Sequence, residues 1–141
     1  MQQTVTTLFP GTGEPQAARQ RAHVVAITSG KGGVGKTNIS TNLAISLARL
    51  GKRVCIFDAD TGLANINILL GLTPRHSLQE FLQGGLPIEE LLLEGPRGVR
   101  IMPGASGIAE YADLERTHQQ ALLNGLRQLE SQFDYLLIDT A

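Results

Sequence analysis

Four glycines fall within the eight residues Gly30-Lys31-Gly32-Gly33-Val34-Gly35-Lys36-Thr37, and these stand between two segments of different habit. Before them lies the apolar run Val24-Val25-Ala26-Ile27, rich in β-branched residues and bounded by Ser29-Gly30, which predicts a fully buried strand. After them Ile39, Leu43, Leu47 and Leu50 recur at helical spacing on one face. They predict a helix from about Lys36 to Leu50, with Gly51 placed to stop it. A strand that turns into a helix through such a loop leaves the chain few folds to choose from.

The octapeptide fits the pattern G-x-x-x-x-G-K-[ST]. Glycines let successive backbone N–H groups turn inward around phosphate oxygens with no Cβ in the way. The helix that follows points its positive end at the same anion. In this chemistry Lys36 reaches the β- and γ-phosphates and the Thr37 hydroxyl binds magnesium. The expected ligands are therefore ATP and Mg2+. Gly30, Lys31, Gly32, Gly33, Val34, Gly35, Lys36, Thr37 and Asn38 are the candidate nucleotide-contacting residues.

Strand and helix continue to alternate. Val54 to Phe57 predicts a second strand ending at Asp58, Val99 to Met102 a third, and Tyr135 to Ile138 a fourth that delivers Asp139 and is expected beside Val24–Ile27. Between them lie one or two helical turns from Asn65 to Leu70 and a helix through Leu82 opened by a Ser77/Glu80 capping box. A further helix over Ile88 to Leu92 has Pro87 at its first turn, and another runs from about Glu115 to Gln132. The strands are continuous apolar runs, so the fold class expected is α/β: a mostly parallel sheet with helices on both faces. Residues 1–22 are polar and turn-rich and read as a flexible tail; 23–141 read as the domain.

Composition excludes several classes. The formal net charge of −1 and an aromatic content of 4% give no overall pull toward nucleic acid and no base-stacking platform. The single cysteine, Cys55, lies inside an apolar run and reads as a buried inert thiol rather than a disulfide or zinc ligand. No segment approaches the ~18 apolar residues of a membrane span, and the N-terminus lacks the pattern of a signal peptide, so the cytoplasm is the expected location.

The extra lysine at position 31 makes the loop K-G-G-x-G-K-T, and here the chain resembles the MinD/ParA family of dimerising ATPases. The resemblance runs from about Val24 to the end and implies a P-loop NTPase fold cut after its Walker B strand. It implies that Lys31 crosses a dimer interface to the partner's nucleotide, and that Lys31, Lys36 and Asp60 are catalytic. Asp60, in Asp58-Ala59-Asp60, would orient and deprotonate the attacking water, with Asp58 supporting the site electrostatically as a further nucleotide-binding residue. Asp139-Thr140 resembles the Walker B segment, so Asp139 would bind magnesium through a water.

The run from Asp58 to Leu72, with Leu72-Thr73-Pro74-Arg75 and Met102 to Ile108, resembles the MinD branch and its flagellar-number relatives (FlhG/FleN). This implies an ATP-dependent homodimer that regulates flagellar number and placement or division-site position, with a partner GTPase or transcription regulator. Gln16, Ala17 and Arg21 match part of a tail element found in that branch. Two alternatives stand beside this reading. One is a non-hydrolytic module that binds nucleotide or a full-length paralogue, and the other is a ParA-like DNA partition ATPase. The partition reading is disfavoured by the absent D-P-Q pattern, and direct nucleic-acid binding is not expected. The membrane-targeting helix of MinD-type proteins is not expected within these residues, and ATPase activity of the chain alone is expected to be weak or nil.

Overall fold

The computed structural model describes residues 21–60, 66–104 and 115–140. Residues 1–20 of the tail, with Gln16 and Ala17, lie outside the described residues, as do Thr61 to Asn65 and Ala105 to Ile108 of the branch-specific runs. The described elements are β1 (His23–Ile27), α1 (Lys36–Arg49), β2 (Val54–Asp58), α2 (Ile66–Leu69), α3 (Leu78–Leu82), β3 (Leu93–Glu94), β4 (Arg100–Met102), α4 (Arg116–Glu130) and β5 (Tyr135–Asp139). They form one sheet in the order β1-β5-β2-β4-β3. β1, β5, β2 and β4 run parallel, and only the two-residue β3 is antiparallel, against β4.

β2 is buried along its whole length, and its alternation shows why its sequence is continuously apolar. Val54 and Ile56 pack with Ala44, Ile45 and Ala48 of α1, whereas Cys55 and Phe57 pack with Leu78 and Leu82 of α3 and Leu122 and Leu129 of α4. Helices therefore cover both faces of the central strands. Burial also pushes the Cys55 thiol up to about 12, which keeps it protonated and inert.

Local signals act as the residue types dictate. Gly51 ends α1 at φ 80°, with its N–H on the Ala48 carbonyl and the Lys52 N–H on that of Leu47, a Schellman motif. Ser77 Oγ accepts from the Glu80 N–H at 3.2 Å while Glu80 Oε2 accepts from the Ser77 N–H at 2.8 Å, closing the capping box. Pro87 precedes the next turn rather than entering it, and Ile88–Leu91 is a single 3₁₀ turn.

Two expectations are corrected. β1 is an edge strand, paired with β5 alone among the described elements, and it is not buried: Val24 is 50% and Val25 37% exposed. The apolar stripe of α1 packs only in part: Leu47 joins the core while Leu50, 75% exposed, does not. Ile39 and Leu43 are exposed, while Ser40, Thr41 and Ala44 are buried against the sheet. α1 lies across β2 and β5, where its small residues permit close approach; Ile45 and Leu47 flank that contact, and Ile39 and Leu43 turn outward.

An exposed pair ties the starts of β2 and β5 together. Asp134 accepts from the Arg53 backbone N–H at 2.7 Å and from its guanidinium at 2.9 Å. The Arg53 side chain and then its backbone N–H hold the Asp134 carboxyl down at about 2. A carboxylate depressed on folding stabilises above its unfolded value of about 3.9, and that contribution is lost as pH falls toward the folded value. Asp134→Asn is therefore expected to be less stable than wild type at pH 6, with the difference shrinking steadily below about pH 4. Urea midpoints across that range check it, and a difference that grows on acidification contradicts it.

Candidate functional site

The site gathers at the carboxyl ends of three parallel strands. Ile27, Asp139 and Asp58 are register partners across β1, β5 and β2, so both aspartates stand at the edge from which the glycine loop departs. Gly33 and Gly35 take left-handed φ values of 69° and 94°, which a side chain would strain. Chain neighbours aside, no heavy atom of the described residues lies within 4 Å of where a Cβ would stand on Gly30, Gly32, Gly33 or Gly35. Gly30 to Val34 are exposed, and Gly35, Lys36 and Thr37 are half-buried.

α1 begins at Lys36 with Gly35 as N-cap. No side chain caps it and no acidic residue stands in its first turn. The first amides of a helix lack intrahelical partners and carry its positive end, so this terminus presents N–H groups suited to an anion. Lys36 Nζ donates to Ser29 Oγ at 3.1 Å, and Ser29 Oγ donates to the Lys31 carbonyl at 2.6 Å. Ser29 thus links the lysine to the start of the loop. Lys31 and Asn38 are exposed beside it.

The contact that joins loop and sheet is between hydroxyl and carboxylate. Thr37 Oγ1 donates to Asp139 Oδ2 at 2.7 Å, and Ser40 Oγ lies 2.9 Å from Asp139 Oδ1. Asp139 is 1% exposed, and burying a carboxylate demands such partners. The Thr37 and Asp139 oxygens are hard donors of the kind magnesium takes, and that ion commonly uses few protein ligands because it keeps several waters. No cluster of three or more His, Cys, Asp or Glu occurs among the described residues, so a richer metal cage is not offered there.

Asp58 is equally buried, and its oxygens hold backbone: Oδ1 accepts from the Asp60 N–H at 3.2 Å and Oδ2 from the Ile66 N–H at 3.1 Å. It therefore brackets the segment between β2 and α2. Asp60 is half-buried at the mouth of that segment. The same edge is closed by the Ala59 N–H on the Asp139 carbonyl and by Thr140 Oγ1 on the Ile27 carbonyl, 2.8 and 2.9 Å.

Gly30, Gly32 and Gly35 also satisfy the dinucleotide spacing G-x-G-x-x-G, so glycines alone do not define the class. The Lys36-Thr37 pair and the partner carboxylate on a neighbouring strand do. Sheet, loop and helix together make this a P-loop domain with the fold of nucleoside triphosphatases.

The chain belongs to the CobQ/CobB/MinD/ParA nucleotide binding domain family, whose model matches residues 25–137. It is 48% identical over 118 residues to the antiactivator FleN of Pseudomonas aeruginosa, covering 84% of this chain and 42% of that protein. Among solved structures it resembles a cobyrinic acid a,c-diamide synthase from Mycobacterium smegmatis with bound ADP and magnesium (TM-score 0.70, 27% identical, 84% of this chain and 50% of that one). It also resembles the septum site-determining protein MinD of Pyrococcus horikoshii complexed with Mg-ADP (TM-score 0.66, 29% identical, 84% and 48%). The chain spans less than half the length of FleN and of the other curated relatives it resembles. No helix among the described residues is long and apolar enough to cross a membrane.

Proposed function

We propose that this chain is the nucleotide-holding N-terminal part of an ATP-driven dimerisation switch of the MinD/FleN type, acting in the cytoplasm on flagellar number and placement or on division-site position. The observation that carries the reading is the Thr37–Asp139 hydrogen bond beside an uncapped helix start, an arrangement of hard oxygens and amides that supports a cation held next to phosphates. The 48% identity to FleN favours the flagellar role within the family.

In this reading the amides from Gly33 to Asn38 hold the phosphates and Lys36 leaves Ser29 for their β- and γ-oxygens. Thr37 and Asp139 would hold magnesium, Asp139 through a water. The bound ion supplies charge neutralisation at the β- and γ-phosphates. Asp60 accepts a proton from the attacking water, and Asp58 keeps the Asp60 segment in place through the two amides it binds. Lys31, exposed on the loop, reaches the nucleotide of a second protomer, so hydrolysis is tied to dimer formation.

Phosphate release is expected to be weak from this chain and to rise when it is continued by the C-terminal part of a FleN-like relative. In the longer protein Asp60→Ala is expected to abolish release while ATP still binds. Equal turnover with and without the added half, or undiminished release from Asp60→Ala, overturns the assignment.

A further inference from the structure

Ser40 belongs to no nucleotide motif, yet it is fully buried, one turn along α1 from Thr37 and on the same face. Its Oγ lies 2.9 Å from both the Lys36 carbonyl and Asp139 Oδ1. A hydroxyl has one proton to give, and an ionised carboxylate is the stronger acceptor, so the proton goes to Asp139. Each oxygen of this buried carboxylate is then held by a separate hydroxyl of one helix, Thr37 on Oδ2 and Ser40 on Oδ1. One such bond would leave the carboxylate free to swing about its terminal torsion, a broad and shallow one. Two fix its plane.

We propose that Ser40 is a positioning residue for the divalent cation: by holding Oδ1 it keeps Oδ2 of Asp139 paired with the Thr37 hydroxyl, and so sets the geometry in which magnesium is taken up with nucleotide. This rests on the reading that Thr37 and Asp139 serve magnesium. The Ser40 hydroxyl contacts the Lys36 carbonyl and Asp139, so it acts on the ion through that carboxylate. Outer partners of metal-binding groups typically govern metal affinity by about 10–100-fold, and the same scale is expected here.

The test is the magnesium dependence of ADP binding, followed with a fluorescent ADP analogue in EDTA and at graded magnesium. In Ser40→Ala the magnesium concentration for half-maximal tightening is expected to rise about tenfold, at the lower end of that range. Affinity in EDTA stays at the wild-type value, and Ser40→Thr, which keeps the hydroxyl, restores the wild-type magnesium curve. Should Ser40→Ala fail to fold, Ser40→Cys, with a weaker donor, is expected to shift the curve in the same direction. A magnesium curve unchanged in these variants, or an equal loss with and without magnesium, overturns the role. A wild-type chain that binds no ADP under any condition overturns the reading of the loop itself, and this one with it.

Discussion

Replacing Lys36 by alanine is expected to weaken Mg·ATP binding by about a hundredfold or more, the scale for removing a preorganised charged donor from a phosphate site. The start of α1 offers amides and a helix dipole, but Lys36 is the half-buried cation among the described residues of the loop. Its Nζ already rests at the loop, on Ser29 Oγ, and needs only a short excursion to meet a phosphate. Because that contact is a single polar one, loss of the side chain should change folding stability by less than about 1 kcal/mol. Calorimetric titration beside a urea melt separates the two effects. Affinity within threefold of wild type contradicts the role given to Lys36, and a large loss of stability means that the lysine is structural.

The largest effect on stability is expected from Ile56→Ala. Ile56 is fully buried at the middle of β2, packed with Ala44, Val54, Ile66, Ile101 and Leu137. Truncation there is expected to cost about 2–5 kcal/mol, from lost burial and from the cavity that remains. That is a large share of the roughly 5–15 kcal/mol that holds a typical domain together. Ile39→Ala is the matched control. The same chemical change, at a position 59% exposed, is expected to cost no more than about 0.5 kcal/mol. Comparable losses at the two positions would mean that the periodic stripe of α1 is core after all.

That comparison also shows where sequence reasoning succeeds. The loop is legible because its chemistry demands residue types in fixed order: glycines where φ turns positive, a lysine, and a hydroxyl at the helix start. Asp58 and Asp139 are legible because parallel strands bring their carboxyl ends to one edge, so an acidic residue closing an apolar run falls beside the loop. Buried β2 is legible from its unbroken apolar run. The run of β1 looks the same, yet among the described residues it stands at an edge. Hydropathy records what a residue could bury, and the neighbouring strand decides whether it does. The stripe of α1 misleads in part for a related reason: Leu47 packs, but the closest approach to the sheet is made by the small residues Ser40, Thr41 and Ala44, which an apolar pattern does not mark.

No motif in the sequence marks Ser29 or Ser40 as part of the site. Ser29 precedes the first motif glycine, where a hydroxyl can reach back to the loop, and that proximity was a usable signal. For Ser40 the signal was fainter. A serine inside a helix, three residues after the motif threonine, shares its face and therefore meets whatever Thr37 meets. Its carboxylate partner lies ninety-nine positions away, and only the pairing of β5 with its neighbours brings it near. β3 has two residues and no pattern of its own. It exists because β4 offers an edge.

The central claim is that the main-chain amides around Gly33 to Asn38 grip the phosphates of a nucleotide. Amide chemical shifts of the isotopically labelled chain, followed through a titration with Mg·ATP, address it residue by residue. Saturable shifts are expected, largest from Gly33 to Asn38 and extending to Asp139 through Thr37. A folded chain whose amides in that segment stay unmoved at millimolar Mg·ATP would contradict the account.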